Sequence, residues 1–537
     1  LVKLLKSTYE DSIDLTRRLS KDYPVLMTKV FKDIKVGLDE DIKEKLELLS
    51  PHFSDYRILK KSVDARQRHN PHFVYSIEVA GENETLTQIE FQLPKLNKTI
   101  TTKPIIVGSG PAGLFAALRL VERGIPCLLF ERGSVAEKRI MGINKFWRYG
   151  ELDPRNNVCF GEGGAGLYSD GKLITRIKSS HIPYVMNRLV QFGAPAEIEF
   201  LSNPHVGSDK IRRVIPKMRQ FLLQNGCEFF PDTQIVDFVS DARSIKGVIT
   251  ERGDTYLSDH VVLATGHSAD DVFHALEKHS VAMEAKSYAL GLRIEHPQSA
   301  INKIQYRDYF SHPKLGSANY KLTYHDHETN TGVYSFCMCP GGFVLSSGTE
   351  RDGIVCNGMS NFNRNSKWAN SAIVVTIEAG KDTDNDLWGG MKLRRDIETK
   401  AFKEVQAAGG TKQLPAQKIT DFLKNRVGAT IGGSSPSGVV GVNLQNLLPK
   451  KVNQFLLKGI ESFDTKMKGF VIDQAQFYGV ETRTSCPIRV TRDEETLQSV
   501  SHKNLYPTGE GAGYAGGITS AACDGIDVAD KIYQSYI

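Results

Sequence analysis

The chain has 537 residues, so a prior of about 150 residues per domain predicts three or four domains, or one large fold with insertions. Hydrophobic residues make up 40% and charged residues 24% of the chain, which excludes a disordered, collagen-like or disulfide-stapled protein. Lys and Arg (68) exceed Asp and Glu (62) by a net charge of +6. So small an excess of positive charge is compatible with an anionic ligand, but it does not by itself indicate a nucleic-acid-binding protein.

Cysteine usage and hydropathy bear on the compartment. The 8 cysteines are scattered, with no Cys-x-x-Cys pair, which favours a reducing cytoplasm over an oxidising compartment. The most apolar stretch, residues 105–121, is interrupted by Gly108, Gly110 and Gly113 and is too short for a transmembrane helix. We therefore predict a cytoplasmic protein without a membrane span.

The first hundred residues differ in pattern from the rest. Residues 1–50 are charge-rich and helix-like, with apolar residues at helical spacing between Asp39 and Ser50. Two strand-like runs follow at 56–63 and 72–79. We predict a small α+β domain of ferredoxin-like type over 1–98, and an N-terminal arm packed on the main body is the alternative.

From Lys103 the pattern becomes strand, glycine turn, helix, strand. Gly108, Gly110 and Gly113 have the G-x-G-x-x-G spacing, in the strand–turn–helix context that a dinucleotide requires. Gly108 permits the tight turn, and Gly110 lets the backbone approach a pyrophosphate. Gly113 lets the helix pack closely against the strand. Glu131 ends the next strand, where its carboxylate can accept hydrogen bonds from ribose hydroxyls.

Three further glycine-containing segments fit the same kind of site. Ala264, Thr265 and Gly266 end a short apolar strand, and residues 161–166 contain four glycines, which indicate positive φ angles or a close backbone approach. Near the C-terminus, Gly509 and Glu510 follow a strand, and Gly517 and Ile518 open the last helix, whose free amides favour negative charge. The βαβ unit alone fits either NAD(P) or FAD.

Several strings together resemble one protein family. They are GSGPAGLFAAL, GGAGLYSDGK, NPHVGSDKIRRVIPKMR, ATGHSADDVF, YALGLRIEHPQ, FCMCPGG, NGMSNFNR, GVETRTSCP and PTGEGAGYAGGI. From about residue 56 onward, the chain resembles bacterial FAD-dependent dehydrogenases of the glutathione-reductase-like flavoprotein superfamily. The resemblance implies non-covalent FAD, a redox role and an N-terminal ferredoxin-like piece, but no particular substrate.

Within that superfamily the strand near the C-terminus usually ends in Gly-Asp, whose carboxylate holds a ribityl hydroxyl. Glu510 is one methylene longer, so its hydrogen bond must be re-aimed. The predicted cofactor-binding residues are Gly108, Gly110, Pro111, Ala112, Gly113, Glu131, Arg132, Gly163, Gly164, Ala165, Gly166, Val236, Ala264, Thr265, Gly266, Gly509, Glu510, Gly517 and Ile518.

The middle of the chain is rich in strand and turn signals and is predicted to form the substrate side. Cys337 and Cys339 would leave one face of a strand, where two thiols can exchange electrons with a flavin, but two buried packing residues are the alternative. His267 is a candidate proton donor. For Glu481 and Arg483 the sequence is compatible with either a substrate contact or a structural ion pair. No metal site is predicted.

The predicted architecture is α/β: a Rossmann-like FAD-binding domain in two parts (99–284 and 476–537), a β-rich cap over 285–475, and the N-terminal domain. The predicted function is that of an FAD-dependent oxidoreductase (dehydrogenase) acting on a small molecule of unknown identity. Its electron donor or acceptor is open, and transient binding of NAD(P)H is compatible with the sequence. The alternatives are an RNA-modifying flavoprotein, motivated by the basic runs at 392–395 and 450–451, and a non-catalytic flavin sensor. Neither a membrane nor a nucleic acid is expected as a partner.

Overall fold

The computed structural model describes residues 28–66, 70–87 and 90–537. The chain divides into two compact units. The smaller comprises Leu1–Phe91 with Phe200–Ser202, and the larger comprises Gln92–Glu199 with Asn203–Ile537.

The described residues of the smaller unit form a three-stranded antiparallel sheet with one helix. Its elements are β1 Lys29–Gly37, α1 Ile42–Leu49, β2 Asp55–Asp64 and β3 His72–Ala80. The central strand β3 buries Phe73, Tyr75, Ile77 and Val79, and α1 contributes Leu46, which is fully buried. α1 begins after Asp41, whose carboxylate accepts a hydrogen bond from the amide of Lys43.

The helix and both strands predicted in this region are present, but the helix-like interpretation is wrong for residues 29–37. That segment is a strand, because Ile34 and Val36 alternate into the core instead of recurring at helical spacing. The part of the same interpretation that covers residues 1–27 lies outside the described residues. The ferredoxin-like type and the boundary at residue 98 stay predictions.

The larger unit opens with an α/β half built around a parallel sheet. In chain order its elements are β4 Ile105–Val107, α2 Pro111–Glu122, β5 Cys127–Phe130, α3 Ala136–Tyr149, α4 Ile182–Gln191, α5 Ser208–Gln224, β6 Cys227–Phe230, β7 Ile235–Asp241, β8 Ser244–Thr250, β9 Thr255–Leu257, β10 Val261–Leu263, α6 Asp270–Lys278 and β11 Met283–Ala285. Short 3₁₀ helices cover Ala165–Tyr168 and Ala196–Glu199. β7, β8 and β9 form a separate antiparallel meander.

A β-rich half follows. Its elements are β12 Tyr288–Pro297, α7 Gln298–Tyr306, β13 Thr323–Asp326, β14 Thr331–Cys339, β15 Gly342–Ser346, β16 Cys356–Ser360, β17 Trp368–Ile377, α8 Gly389–Ala407, β18 Leu414–Lys418, α9 Ile419–Leu423, β19 Val439–Gly441, α10 Lys450–Lys466 and β20 Gln476–Glu481, with 3₁₀ turns at Arg307–Tyr309 and Leu444–Asn446. The chain ends with β21 Ile488–Val490, β22 Leu505–Pro507 and α11 Ile518–Tyr536.

The parallel sheet has the order β22-β10-β4-β5-β6, and every neighbouring pair is parallel. β4 and β10 are apolar and buried throughout, as expected for strands covered on both faces. The carboxyl ends of β4, β5, β10 and β22 therefore meet at one edge, where ligands bind in open α/β sheets. The predicted Rossmann-like α/β class is confirmed.

The cap sheet has seven strands in the order β13-β14-β17-β12-β20-β18-β19. Its central strands β12 and β17 are almost completely buried and belong to a core that includes Phe463 of α10. Because β20 pairs with β12 and β18, the predicted boundary after residue 475 cuts this sheet one strand too early.

The last helix returns to the parallel sheet and packs on α2. α2 is mostly apolar and is buried from Ala112 to Val121, and its Arg119 pairs with Asp530 of α11. Its 12 residues span about 18 Å, well short of the roughly 30 Å of a bilayer core. Over the ranges that the structure describes, no helix has both the length and the apolar character needed to cross a membrane.

The approach of α11 to α2 depends on Gly525. A Cβ atom at this position would lie 2.1 Å from the carbonyl oxygen of Ala112, which is backbone and has little freedom to move. We expect Gly525→Ala to lower the free energy of unfolding by about 1–3 kcal/mol through overpacking, even though alanine is the better helix former.

The matched control is Gly432→Ala, because a Cβ atom there meets nothing within 4 Å. Urea denaturation of both variants measures the difference. Equal stability of the two would show that the α2–α11 contact is looser than described.

Candidate functional site

The turn between β4 and α2 brings backbone close to backbone. Gly108 has φ of 105°, and a Cβ atom on it would lie 2.3 Å from the carbonyl oxygen of Ala264. A Cβ atom on Gly113 would lie 1.9 Å from the carbonyl oxygen of Gly108. Gly110 differs, since among the described residues outside its chain neighbours the only atom within 4 Å of its Cβ position is the Cα of Gly164, at 3.9 Å. Two glycines are thus required by packing, and the third leaves space at the N-terminus of α2.

Glu131 is buried after β5, and the protein itself satisfies its carboxylate. Oε2 accepts hydrogen bonds from the amide (3.0 Å) and hydroxyl (2.8 Å) of Ser109. Oε1 accepts from the amides of Gly133 (3.0 Å) and Gly161 (2.9 Å). These four bonds fill the usual capacity of a carboxylate. The predicted ribose contact therefore requires a protein group, such as the Ser109 hydroxyl, to give way.

The glycine loop at 161–166 lies against the β4–α2 turn. The amide of Gly163 donates to the carbonyl of Ser109 at 2.9 Å, and a Cβ atom on Gly164 would lie 3.0 Å from the Cα of Gly110. Gly163 and Gly164 both have positive φ, at 84° and 62°. The prediction that these glycines serve close backbone contact agrees with this geometry.

Arg139 of α3 holds that loop, and sequence reasoning missed it. Its guanidinium is completely buried and donates to the carbonyl oxygens of Gly161, Glu162 and Gly164 at 2.6–3.2 Å. It also donates to the carbonyls of Asn157 and Val158. Nothing marks Arg139 in the sequence, because all its acceptors are main-chain groups that carry no residue signature.

The segment after β10 lies beside both of these turns. The amide of Ala264 donates to the carbonyl of Val107 at 2.8 Å, and Gly266 has φ of 75° with nothing within 4 Å of its Cβ position. A Cβ atom on Gly511 would lie 2.4 Å from the carbonyl oxygen of Gly266. The Ala264–Gly266 segment thus connects the β4–α2 turn to the C-terminal glycine segment.

Gly509 and Glu510 follow β22 and are held by a buried ion pair that the sequence did not reveal. The amide of Gly509 donates to Asp524 Oδ2 at 2.6 Å, and Arg492 pairs with the same carboxylate at 2.6 Å. Arg492 also donates to the carbonyl of Pro507 at 2.7 Å. Asp524 lies on α11, so the last helix fixes the backbone that presents Glu510.

The N-terminus of α11 faces the same region. A Cβ atom on Gly166 would lie 3.2 Å from Cγ1 of Ile518, so the two predicted residues are in contact. Gly516 and Gly517 are exposed, with nothing within 4 Å of either Cβ position. The first amides of α11 are therefore open to an anionic or electron-rich group.

The remaining predicted cofactor residues lie in several different places. Pro111 and Ala112 form the first turn of α2, and Thr265 adjoins Gly108, whose Cβ position is 3.2 Å from the Thr265 Cα. Arg132 donates to both oxygens of Asp271 and lies over the ring of Phe160. Val236 lies on β7 of the meander with 42% of its side chain exposed. For all of these residues a cofactor contact stays a prediction.

Within residues 509–517, which join β22 to α11, Glu510 is the one residue with a carboxylate. Its side chain forms no hydrogen bond with any described residue. Desolvation raises the pKa of Glu510 to about 7, and the charge of Lys286 opposes that rise. Desolvation lowers the pKa of Lys286, whose ammonium likewise has no hydrogen-bond partner among the described residues. These two groups are available to a ligand.

Cys337 and Cys339 do not share a face, so that prediction is wrong. β14 has a bulge between Phe336 and Cys339, and Cys337 has φ of 44°, which breaks the alternation of a regular strand. Cys337 is exposed, whereas Cys339 is buried with its Sγ 3.2 Å from the carbonyl oxygen of Cys337. For Cys339 the alternative of a buried packing residue agrees better with the structure, and the raised pKa of about 12, caused by burial, disfavours its thiolate.

Cys337 instead belongs to a group of charged side chains. Desolvation raises the pKa of the Cys337 thiol. The charges of Lys172 and Arg293 lower that pKa, and those of Glu481 and Glu510 raise it. Lys172 donates from Nζ to the carbonyl of Met338, next to Cys337. We call Lys172, Lys286, Cys337 and Glu510 the ionisable cluster.

His267 lies close to the cations Arg483 and Arg394, and its Nδ1 lies 2.8 Å from the hydroxyl of Ser268. Desolvation and the charges of Arg483 and Arg394 lower its pKa to about 3, so the imidazole is neutral at pH 7. A neutral ring can donate a hydrogen bond but is not an acid in the imidazolium sense. The proposed role of His267 as a proton donor is therefore disfavoured at neutral pH.

Glu481 and Arg483 take part in structural ion pairs. Arg293 forms a bidentate pair with Glu481 at 2.8 and 2.9 Å, and Arg483 forms one with Glu398 at 2.9 and 2.7 Å. All four side chains are buried. The structural alternative for these two residues thus agrees with the geometry, and the direct substrate contact does not.

Because the carboxyl of Glu510 has no hydrogen-bond partner among the described residues, we expect it to lower the stability of the ligand-free fold in a pH-dependent way. A carboxyl whose folded pKa is raised from its usual value to about 7 makes the ligand-free fold lose stability as pH rises from about 4.5 to 7. We expect Glu510→Gln to stabilise the ligand-free protein by about 1–2 kcal/mol above pH 7, and by nothing measurable at pH 4.5.

Thermal unfolding of the flavin-free protein at both pH values measures this effect. Glu494→Gln is the control, because Glu494 is exposed and outside the site. A stability gain of equal size at both pH values would contradict a raised pKa for Glu510.

Family models match three parts of the chain. Residues 102–272 match "Pyridine nucleotide-disulphide oxidoreductase", and residues 287–484 match "FAD-dependent protein, C-terminal domain-like". Residues 33–80 match a domain of unknown function. The second match ends after β20, in agreement with the extent of the cap sheet.

Solved flavoprotein structures align over much of the chain at low similarity. A triple mutant of the flavin-dependent brominase Bmp2 aligns with a TM-score of 0.37 and 11% identity, covering 81% of this chain and 80% of that one. CtdE in complex with FAD aligns with a TM-score of 0.29 and 11% identity, covering 81% and 90%. Scores this low carry no inference about reaction or substrate.

An uncharacterized protein of Clostridium beijerinckii (strain ATCC 51743 / NCIMB 8052) is 38% identical over 528 residues, which are 94% of this chain and 98% of that protein. The FAD-dependent match to the cap and the oxidoreductase match to the Rossmann-like half agree with the glycine loops and the open helix N-termini described above. The chain therefore belongs to the family of the Clostridium beijerinckii protein, and it is an FAD-binding enzyme of the oxidoreductase type with FAD as its cofactor.

Proposed function

We propose that the protein is an FAD-dependent dehydrogenase that oxidises a small molecule at the end of the site shared by α11 and β14. The observation that carries the proposal is the meeting of two open helix N-termini, those of α2 and α11, with the ionisable cluster beside the second. An extended dinucleotide with phosphates at one end and a redox-active ring at the other suits that arrangement.

The phosphates of FAD would be held at the N-terminus of α2. Gly110 caps this helix, and the first amides of α2 can stabilise a pyrophosphate. The absence of close protein neighbours at the Gly110 Cβ position leaves the room that a phosphate needs. The adenosine ribose would lie at Glu131, with Ser109 yielding one of its two hydrogen bonds to the carboxylate.

The flavin end would lie between Gly166, Glu510 and Ile518. Bound FAD supplies a hydride acceptor, and the protein supplies orientation and electrostatics. The open amides at the start of α11 favour negative charge. Glu510, whose pKa is about 7, can hold or release a proton at its carboxylate near neutral pH, and so can bind a ribityl hydroxyl as donor or acceptor.

The ionisable cluster favours catalysis over a sensor that only stores flavin. Two-electron reduction changes both the charge and the proton count of the site, and a site with titratable groups can compensate both. Cys337 is the thiol that is available for such chemistry, since it is exposed beside Lys172. Cys339 is not proposed, because it is buried.

The RNA-directed alternative loses four of the five basic residues that motivated it. Arg394 is buried and pairs with Asp270, Arg395 pairs with Asp352, and Lys392 pairs with Asp386. In the second basic run, Lys451 pairs with Asp382. Cations that are neutralised by carboxylates contribute little to phosphate binding.

Anaerobic reduction tests the dehydrogenase proposal. Purified protein with bound FAD is mixed with NADH, NADPH and a panel of small organic acids, alcohols and amines, and the visible flavin absorbance is followed. Bleaching by an organic substrate, with an oxidised product of unchanged oxygen content, supports a dehydrogenase. Bleaching by NAD(P)H alone, followed by oxygen insertion into a substrate in air, would reject it in favour of a monooxygenase.

Gly110→Val separates cofactor binding from folding. A side chain at this position projects into space that the protein does not fill, so the fold should persist while the pyrophosphate is excluded. We expect flavin content to fall by at least about tenfold, a loss of about 1.4 kcal/mol or more in binding, with an unchanged far-ultraviolet spectrum.

Gly113→Val is the contrasting variant, because its side chain would collide with the Gly108 carbonyl and should disrupt the fold itself. Flavin released by heat and quantified by absorbance is the readout. Full flavin in Gly110→Val would mean that the phosphates lie elsewhere.

Alkylation distinguishes the two thiols of β14. In the flavin-free protein, iodoacetamide should modify Cys337 about tenfold faster than Cys339 or the buried Cys356, and faster still as pH rises, because only the thiolate reacts. Peptide mass spectrometry at timed intervals measures the rates. If Cys337 lies at the flavin end, bound FAD should slow its modification, and an equal rate with and without FAD would remove Cys337 from the site.

A further inference from the structure

A short segment, residues 172–178, runs between the first turns of α11 and the strand β14. At its start the hydroxyl of Thr519 donates to the carbonyl of Leu173 at 2.7 Å, and Lys172 donates to the carbonyl of Met338. Just beyond its end, His181 lies 3.1 Å from Asp527 of α11. The segment is thus fixed alongside the helix whose N-terminus faces the proposed flavin end.

This segment leaves large apolar side chains in water. Ile174 is 40% exposed and Ile177 is 41% exposed, and Phe336 on the adjoining β14 is 36% exposed. Covering such side chains would release about 25 cal/mol for each Å² of apolar surface. Phe336 directly precedes Cys337 in β14, so a substrate that enters beside Cys337 would have apolar surface to cover.

The same segment carries cations without protein partners. Arg176 and Lys178 are exposed, and neither forms a hydrogen bond or an ion pair with any residue that the structure describes. Desolvation raises the pKa of Tyr334 on β14, and the charge of Arg176 acts on the same phenol in the opposite direction. Arg176 therefore lies near the strand face that carries Phe336.

Two carboxylates close to this segment have partners. Asp170 accepts from Arg364 at 2.6 Å and from the hydroxyl of Ser360, and Asp527 is the partner of His181. Glu510 of the ionisable cluster lies under the opposing charge of Lys286. Arg176 and Lys178 are thus left without a carboxylate partner among the described residues, on the same segment as the exposed side chains of Ile174 and Ile177. A ligand with an apolar body and one anionic group would satisfy both features.

We propose that the substrate is an amphipathic carboxylic acid, whose apolar body covers Ile174, Ile177 and Phe336 and whose carboxylate pairs with Arg176. This inference rests on the proposed function, because it assumes that the substrate enters where α11 and β14 meet. Arginine suits the role, since its planar guanidinium binds a carboxylate through two parallel hydrogen bonds. Arg176 is then a specificity-determining residue.

The test titrates the FAD-loaded protein with octanoate and benzoate, and with the uncharged octanamide and benzamide. Perturbation of the flavin spectrum and isothermal calorimetry report binding independently. We expect at least one acid to bind at least tenfold more tightly than its amide. In Arg176→Gln the preference for the acid should disappear while the affinity for the amide is retained. Ile177→Ser should weaken the binding of both the acid and the amide.

The control is Arg252→Gln, which removes an exposed arginine of the β8–β9 turn and should leave both affinities unchanged. Equal binding of acid and amide by the unmodified protein, equal effects of the two arginine variants, or no binding of either acid would each overturn the proposal. A protein that purifies without flavin would contradict the proposed function instead, and calorimetry on the flavin-free protein would still measure binding at Arg176.

Discussion

The site depends on how closely two helices approach. α11 packs on the first turn of α2 at a distance that permits no side chain at Gly525, where a Cβ atom would meet the Ala112 carbonyl at 2.1 Å. This contact aligns the N-termini of both helices on the same edge of the parallel sheet. A Cβ atom on Gly509 would likewise lie 2.9 Å from that of Ala112. The separation between phosphate end and flavin end is thereby set by backbone packing.

Buried charge connects the cap to this frame. Arg394 of α8 reaches Asp270 at the start of α6, and it also donates to the carbonyl of His267 at 3.3 Å. Arg364, beyond β16, reaches Asp170 at the end of the glycine loop. Asp170 is buried, so removing Arg364 would leave an uncompensated buried charge, at a cost of about 3–5 kcal/mol, whereas Asp270 is 38% exposed and water would screen its charge. These pairs therefore define the position of the β-rich half relative to the Rossmann-like half.

The sequence predicted those parts of the site whose function restricts the residue type. Glycine is the only residue that tolerates the contacts at Gly108 and Gly113, so its spacing between a strand and a helix indicated the turn. The strand that contains Cys337 was also predicted, but its bulge was not, because no local pattern distinguishes a bulged strand from a regular one. Arg139 and the pair formed by Arg492 and Asp524 were missed because each joins segments far apart in the chain. A charged residue that binds main-chain carbonyls leaves no periodic or spacing signal.

The hydrogen bonds of Glu131 have a consequence for how the enzyme is assembled. Ser109, Gly133 and Gly161 lie on three separate segments, and all of them donate hydrogen bonds to its carboxylate. One side chain therefore fixes the β4–α2 turn, the end of β5 and the glycine loop to each other. Loss of that single carboxylate would release three segments of the cofactor site at once.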